Sequence, residues 1–142
     1  MKDRLIIRVV TKITTPFILV FGFYVITHGE LSPGGGFQGG VLLAAAFILY
    51  GLVFGLDELE PILPRRVSDS LAAIGVLLYA GLGLVGIFTG YRFLDYRSLG
   101  LAGSESAEVW GMALAEYGVG ITVTAVMITI FREVAQAKRR EH

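Results

Sequence analysis

The sequence predicts an all-α integral membrane protein with four transmembrane helices. Of its 142 residues, 54% are hydrophobic and the mean hydropathy is +0.69, which is too apolar for the surface of a soluble domain of this length. The charged residues gather in a few segments and leave four nearly uncharged stretches between them. Each stretch has about 20 residues, enough for a helix to cross the ~30 Å hydrocarbon core.

The first predicted helix covers residues 5–28, provided that Arg8 and Lys12 extend their charged ends to the membrane interface. Its basic start resembles a signal peptide, but it lacks an A-x-A-like cleavage site, so we expect an uncleaved span. The second predicted helix covers residues 37–56, which are uncharged and follow a glycine-rich stretch.

The third predicted helix covers residues 69–91, after a connector with two prolines, and Ser68 or Asp69 is its predicted N-cap. The fourth covers residues 110–132 and carries Glu116 within its apolar run. Residues 1–142 are therefore predicted to form a single membrane domain.

The distribution of lysine and arginine predicts how the chain is oriented. Ten of the twelve basic residues lie at the two termini and in the connector after the second helix, and only Arg92 and Arg97 fall on the other side. Because basic residues concentrate on the cytoplasmic side, both termini are predicted to be cytoplasmic. The chain is expected to be a multi-pass protein of the cell membrane.

Composition also excludes several kinds of site. Cysteine is absent, which excludes disulfides, thiolate catalysis, iron–sulfur ligation and Cys-based zinc sites in this chain. The two histidines, His28 and His142, are too few for a multi-histidine metal site. We therefore expect no catalytic residue, no metal site and no cofactor in this chain. Its twelve basic and twelve acidic residues balance, so nucleic acid is not an expected partner.

The stretch "HGELSPGGGFQGG" lies between the first two predicted helices. Gly34, Gly36 and Gly39 match the spacing G-x-G-x-x-G, but a dinucleotide site needs a strand before it and a soluble helix after it. A phosphate-binding loop is thus a poor interpretation. Two alternatives remain: a tight turn that uses glycines for positive φ, or a buried bend whose glycines permit close packing of helices.

Glycine spacing favours the packing alternative. Gly35/Gly39 and Gly36/Gly40 are overlapping small-xxx-small pairs, the pattern that lets membrane helices approach backbone to backbone. Two further pairs have the same spacing and are predicted to pack helices: Gly51/Gly55 and Gly86/Gly90.

Three ionisable groups are predicted to lie near one another in the outer leaflet. Glu116 lies about 9 Å into the fourth helix, and His28 and Glu30 end the first helix on the same side. Such groups relay protons or attract cations inside membranes. Hydroxyl groups that would extend this ion path belong to Thr27, Tyr117, Thr122 and Thr124. The alternative is structural, with Glu116 capping the helix start and His28 among the headgroups.

Two segments identify a resemblance to a known family. "TPFILVFGFYVITHGELSPGGGFQGGVLLAAAFILYGLVFG" and "AEYGVGITVTAVM" resemble the MnhB-like B subunit of Mrp-type multi-subunit sodium/proton antiporters. The resemblance covers most of the chain and implies a non-enzymatic subunit of a cation/proton antiporter complex, with other membrane subunits, the bilayer, Na⁺ and H⁺ as partners. Its motif positions are Ser32, Pro33, Gly34, Gly35, Gly36, Phe37, Gln38, Gly39 and Gly40, together with His28, Glu116, Tyr117 and Gly118.

The same resemblance leaves a second function open. Related modules occur in archaeal membrane-bound hydrogenases and sulfur reductases, in which redox energy drives ion pumping. The chain would then be a mainly structural subunit of the membrane arm, beside hydrogenase or sulfur reductase subunits.

Overall fold

The computed structural model describes residues 2–29, 34–95 and 104–141, which contain five helices and no strand. The helices are α1 (Lys2–Thr27), α2 (Gly36–Phe54), α3 (Leu56–Leu59), α4 (Arg65–Phe88) and α5 (Ser104–Arg140). All except the short α3 are long and apolar enough to cross a membrane. The predicted all-α class with four spans is confirmed, while the cytoplasmic location of both termini stays a prediction.

Helices α2 and α5 form the centre of the bundle. Helix α1 packs against α2, α4 packs against α5, and α1 touches α5 only slightly. The outward faces carry large apolar side chains, including Phe17 and Leu77 at 72% and 69% exposure. Lipid tails are as apolar as these side chains, so such faces suit a membrane protein.

Helix α4 begins earlier than predicted. Its N-cap is Pro64, with φ −58° and ψ 146°, and proline is tolerated there because a helix start leaves its own N–H groups unpaired. The prediction of Ser68 or Asp69 as N-cap is wrong. Ser68 is fully buried within α4, and its hydroxyl lies 3.3 Å from the carbonyl oxygen of Ala125 on α5. Its hydroxyl joins two helices instead of capping one.

Three glycines predicted to pack helices have other roles. Gly55 ends α2 with φ +96°, its N–H donates to the carbonyl of Gly51, and a Cβ there would meet nothing. Gly90 follows α4 with φ +82°, also in open space, and Gly86 faces the carbonyl of Arg92 in the returning loop. Of the four glycines in these two pairs, only Gly51 packs against another long helix as predicted, and it lies against Phe131 of α5.

Residues 55–64 connect α2 to α4 and are fixed to the C-terminal part of α5. Leu59 is fully buried. The guanidinium of Arg132, only 3% exposed, donates to the carbonyl of Leu63. Farther along α5, both terminal nitrogens of Arg139 donate to Asp57, at 3.0 and 3.3 Å. The connector is therefore bound to α5 at two places, Arg132 and Arg139.

The Asp57–Arg139 pair has a defined pH dependence. The pKa of Asp57 lies below its ordinary 3.8, first because its carboxylate accepts hydrogen bonds from Arg139 and second because of the positive charge of that group. A lowered pKa adds stability that is complete above the ordinary value and is lost as the pH falls through the lowered one. Both side chains are exposed, so the contribution is small and decreases with salt.

The two arginines of α5 give a matched test of the connector. We expect Arg132→Ala to destabilise the protein by about 1–3 kcal/mol, because it removes a buried guanidinium together with its charge-assisted hydrogen bond to the carbonyl of Leu63. Arg139→Ala, on the same helix face, should leave stability nearly unchanged. Thermal unfolding of the detergent-solubilised protein measures both, and equal effects would contradict this account of the connector.

Candidate functional site

The carboxylate of Glu116 lies in the bend between α1 and α2. A Cβ built on Gly35 would be 3.4 Å from Glu116 Oε1, and one on Gly29 would collide with Oε2. The same Cβ position on Gly29 is 2.7 Å from the Cα of Gly35, so the two glycine backbones close around the carboxylate. Gly35 also has φ +123°, which disfavours any other residue.

The start of α2 provides a favourable electrostatic environment for this carboxylate. Its N-cap, Gly35, makes no side-chain capping hydrogen bond, and its first turn contains no acidic residue. Helix N-termini carry a partial positive charge on their unpaired N–H groups. Glu116 of α5 therefore places a negative group beside the positive end of a neighbouring helix.

Helices α2 and α5 meet along a seam that we define as Gly36 and Gly40 on α2 and Glu116, Gly120 and Thr124 on α5. A Cβ on Gly36 would overlap the backbone carbonyl of Glu116, and one on Gly40 would be 2.7 Å from the carbonyl of Gly120. The Thr124 hydroxyl lies 3.1 Å from the carbonyl of Gly40. Residues spaced four apart share one helix face, so this face of α5 packs against α2, and at Gly120 it also contacts Ile26 of α1.

The remaining motif glycines face α1. A Cβ on Gly39 would lie 2.9 Å from the carbonyl of Gly22, and one on Gly34 would lie 3.2 Å from Val25. Phe37 is 64% exposed and Gln38 is also exposed. The start of α2 thus packs closely against α5 on one face and against α1 on another. Its third face, which carries Phe37 and Gln38, is exposed.

His28 follows the end of α1 and is half-buried. Its ring stacks on Tyr24 with the ring centroids 4.2 Å apart. Its Nδ1 lies 3.2 Å from the carbonyl of Tyr24 and 3.1 Å from the hydroxyl of Thr27. Glu30, Ser32 and Pro33, also predicted site residues, lie outside the described residues.

The hydroxyl groups of α5 do not all face the bend. Tyr117 is 37% exposed. Thr122 donates to the carbonyl of Gly118 and lies against Gly75 of α4. Thr122 therefore belongs to the α4–α5 contact, whereas Thr124 belongs to the α2–α5 seam. Among the described residues, no group of three or more His, Asp or Glu side chains is placed to hold a metal ion.

Two residues of this site were not predicted from the sequence. Gly29 contacts the Glu116 carboxylate, and Gly120 lies between Glu116 and Thr124 on the seam. The signal for Gly120 was present in its spacing of four from both neighbours. Gly29 had no comparable signal, because its contact depends on how the bend folds.

Comparison with known proteins relates the chain to antiporter subunits. Residues 6–129 match the family described as "Domain related to MnhB subunit of Na+/H+ antiporter". Proteins named "Putative antiporter subunit mnhB2" are similar over nearly the whole chain. The protein from Staphylococcus haemolyticus is 36% identical over 141 residues, 96% of this chain and 98% of its own length. That from Staphylococcus epidermidis is 33% identical, covering 94% and 96%, and one from Staphylococcus aureus is 35% identical, covering 91% and 92%.

The seam predicts a position-specific response to added bulk. We expect Gly36→Ala to destabilise the bundle by about 1–3 kcal/mol or more, because its methyl group would overlap the backbone carbonyl of Glu116, which cannot move aside like a flexible side chain.

Gly81→Ala is the matched control, because a Cβ at Gly81 of α4 would meet nothing within 4 Å. Thermal unfolding in detergent measures both variants. Equal midpoints for Gly36→Ala and the wild type would show that α2 and α5 are not in close contact there.

Proposed function

Because the chain belongs to the family of domains related to the MnhB subunit of Na⁺/H⁺ antiporters and is a membrane subunit of a multi-subunit Na⁺/H⁺ antiporter, we propose that Glu116 forms part of the ion path. The chain is a multi-pass protein of the plasma membrane. One observation carries the proposal. The carboxylate of Glu116, in an apolar membrane-spanning helix, lies beside Gly29 and Gly35, which we call the glycine bend.

A carboxylate in this position has the chemistry that cation exchange requires. It binds either H⁺ or Na⁺ when it is negatively charged, and ionisable groups inside membranes are costly enough to be rare without a function. The N-terminus of α2 stabilises the anion when no cation is bound. The N-terminus of α2 and an arriving cation would compete for the carboxylate of Glu116. This competition would keep cation binding reversible, which transport requires.

The depth of Glu116 supports access from one side of the membrane. It lies about 12 Å along α5 from Glu108, where the membrane-spanning part of α5 begins. In the predicted orientation this is the outer half of the bilayer. His28, at the end of α1 on that side, would serve as a proton-accepting neighbour of the bend.

A structural function accompanies the proposed ion path. The seam and the α1-facing glycines hold three helices at backbone distance, while exposed apolar faces remain for other subunits. Those partners are proposed to be the other membrane subunits of the antiporter. All of the similar proteins described above are named as antiporter subunits, which favours a transport component over the alternative of a subunit of a hydrogenase or sulfur reductase.

The role of Glu116 is tested by removing its charge with little change in shape. We expect Glu116→Gln to lower Na⁺-dependent H⁺ exchange by about tenfold or more, equivalent to ~1.4 kcal/mol on the transport barrier. The measurement is dye-monitored exchange in everted vesicles that contain the complete complex. Native electrophoresis of the same membranes should show normal assembly.

Glu108→Gln is the control, because it removes a carboxylate from the same helix about two turns away from the bend. Its exchange should equal that of the wild type. Exchange by Glu116→Gln at the wild-type rate would overturn the ion-path proposal, and loss of exchange together with loss of assembly would assign Glu116 to the scaffold.

The proposed partners are tested by affinity purification. We expect a tagged chain, extracted from native membranes in mild detergent, to recover other antiporter subunits, which mass spectrometry identifies. Recovery of hydrogenase or sulfur reductase subunits would favour the redox-driven alternative. Recovery of the chain alone would contradict assembly into a multi-subunit complex.

A further inference from the structure

We propose that a pocket between the start of α1 and the end of α2 binds the headgroup of an anionic phospholipid. The pocket has a volume of about 390 Å³. Its lining consists of Arg4, Ile7, Arg8, Leu52, Val53 and Phe54. It lies at the end of α1 opposite to Thr27 and the glycine bend, and it therefore extends the function of the chain to a second, independent site.

The basic residues at this pocket form a row. Arg4, Arg8 and Lys12 are spaced four apart, so they lie on one face of α1. The guanidinium carbon of Arg8 is 4.9 Å from the centre of the Phe54 ring, and Lys12 Nζ is 5.5 Å from it. Cation–π attraction thus holds two of the charges against the end of α2.

Among the side chains that the structure describes, from Arg4 onward along α1 and in the other helices, no acidic group forms an ion pair with this row. The ion pairs found there are Arg65–Glu133, Arg132–Glu60 and Arg139–Asp57. The C-terminal end of α2 carries a partial charge of about −0.5, which is small against three full positive charges. The row therefore keeps a strong preference for an added anion.

The depth of the row matches that of lipid phosphates. At about 1.5 Å per residue, Arg4, Arg8 and Lys12 lie about 35, 29 and 23 Å from Thr27 along α1. The hydrocarbon core is about 30 Å thick, so Arg8 lies near its edge and Arg4 among the headgroups. Side chains on a helix tilt toward its N-terminus, which directs Lys12 toward the same level.

The apolar part of the pocket distinguishes a lipid from a soluble anion. Ile7 and Leu52 are 54% and 68% exposed, and they adjoin the arginines in the pocket lining. Acyl chains would cover these side chains while the phosphate lies between the two guanidinium groups, which bind phosphate through paired hydrogen bonds. An anionic phospholipid supplies both parts in one molecule.

The experiment uses the complete, delipidated antiporter complex in detergent. Dioleoyl phosphatidylglycerol is the anionic probe and dioleoyl phosphatidylcholine the zwitterionic one, and binding is followed by native mass spectrometry and thermal unfolding. We expect phosphatidylglycerol to bind wild type preferentially. Arg4→Gln/Arg8→Gln should bind it about 30-fold more weakly, because each basic residue near an anionic headgroup contributes about a factor of five.

Arg66→Gln/Lys138→Gln is the control, because it removes two exposed basic residues from elsewhere in the chain and should leave binding unchanged. Arg4→Lys/Arg8→Lys keeps both positive charges but loses the paired hydrogen bonds, so its binding should lie between those of the wild type and the glutamine variant, and it tests the site if the glutamine variant fails to assemble. Unchanged phosphatidylglycerol binding by the glutamine variant would overturn the proposal.

Two other outcomes would also overturn it. Equal stabilisation by inorganic phosphate would identify a free-anion site. Loss of a neighbouring subunit from Arg4→Gln/Arg8→Gln, with lipid binding retained, would identify the row as a contact for an acidic segment of a partner protein.

Discussion

The close approach of α2 and α5 is the contact on which the rest of the bundle depends. Burial of apolar side chains gives helices in lipid little reason to associate, so close packing and interhelical hydrogen bonds must hold them. Gly36 and Gly40 bring the backbone of α2 against the carbonyls of Glu116 and Gly120. Because α1 packs on α2 and α4 packs on α5, this contact joins the two halves of the molecule and also carries Glu116 into the bend.

The sequence was sufficient to predict the number of spans and the presence of close glycine contacts. Long uncharged segments have only one stable form in lipid, which is why the four helices were predictable. The partner of each glycine was not predictable. Gly39 and Gly40 are neighbours in the chain, yet the first faces α1 and the second faces α5. Spacing tells which residues share a helix face, but the crossing of three helices decides what that face meets.

The errors have a common physical origin in contacts distant in sequence. Ser68 has the chemistry of an N-cap, but Pro64 already starts α4 and the hydroxyl of Ser68 lies beside α5. Thr122 lies on α5 with Glu116, yet its side chain faces Gly75 of α4, and its role in the ion path stays a prediction. Gly86 accommodates a returning loop, where a neighbouring helix was expected. Local rules describe what a residue is able to do, whereas tertiary contacts select among the options.

The position of α5 has a consequence for biosynthesis. Helix α5 leaves the ribosome after α1, α2 and α4, yet it supplies the main packing surface for α4 and the second face of the glycine bend. Until residues 104–140 enter the bilayer, the nascent chain consists of an α1–α2 hairpin and a solitary α4. Its glycine-lined surfaces then face lipid, and insertion of α5 forms its contacts with α2, α4 and α1 together. The four-helix bundle therefore cannot form before α5 has been synthesised.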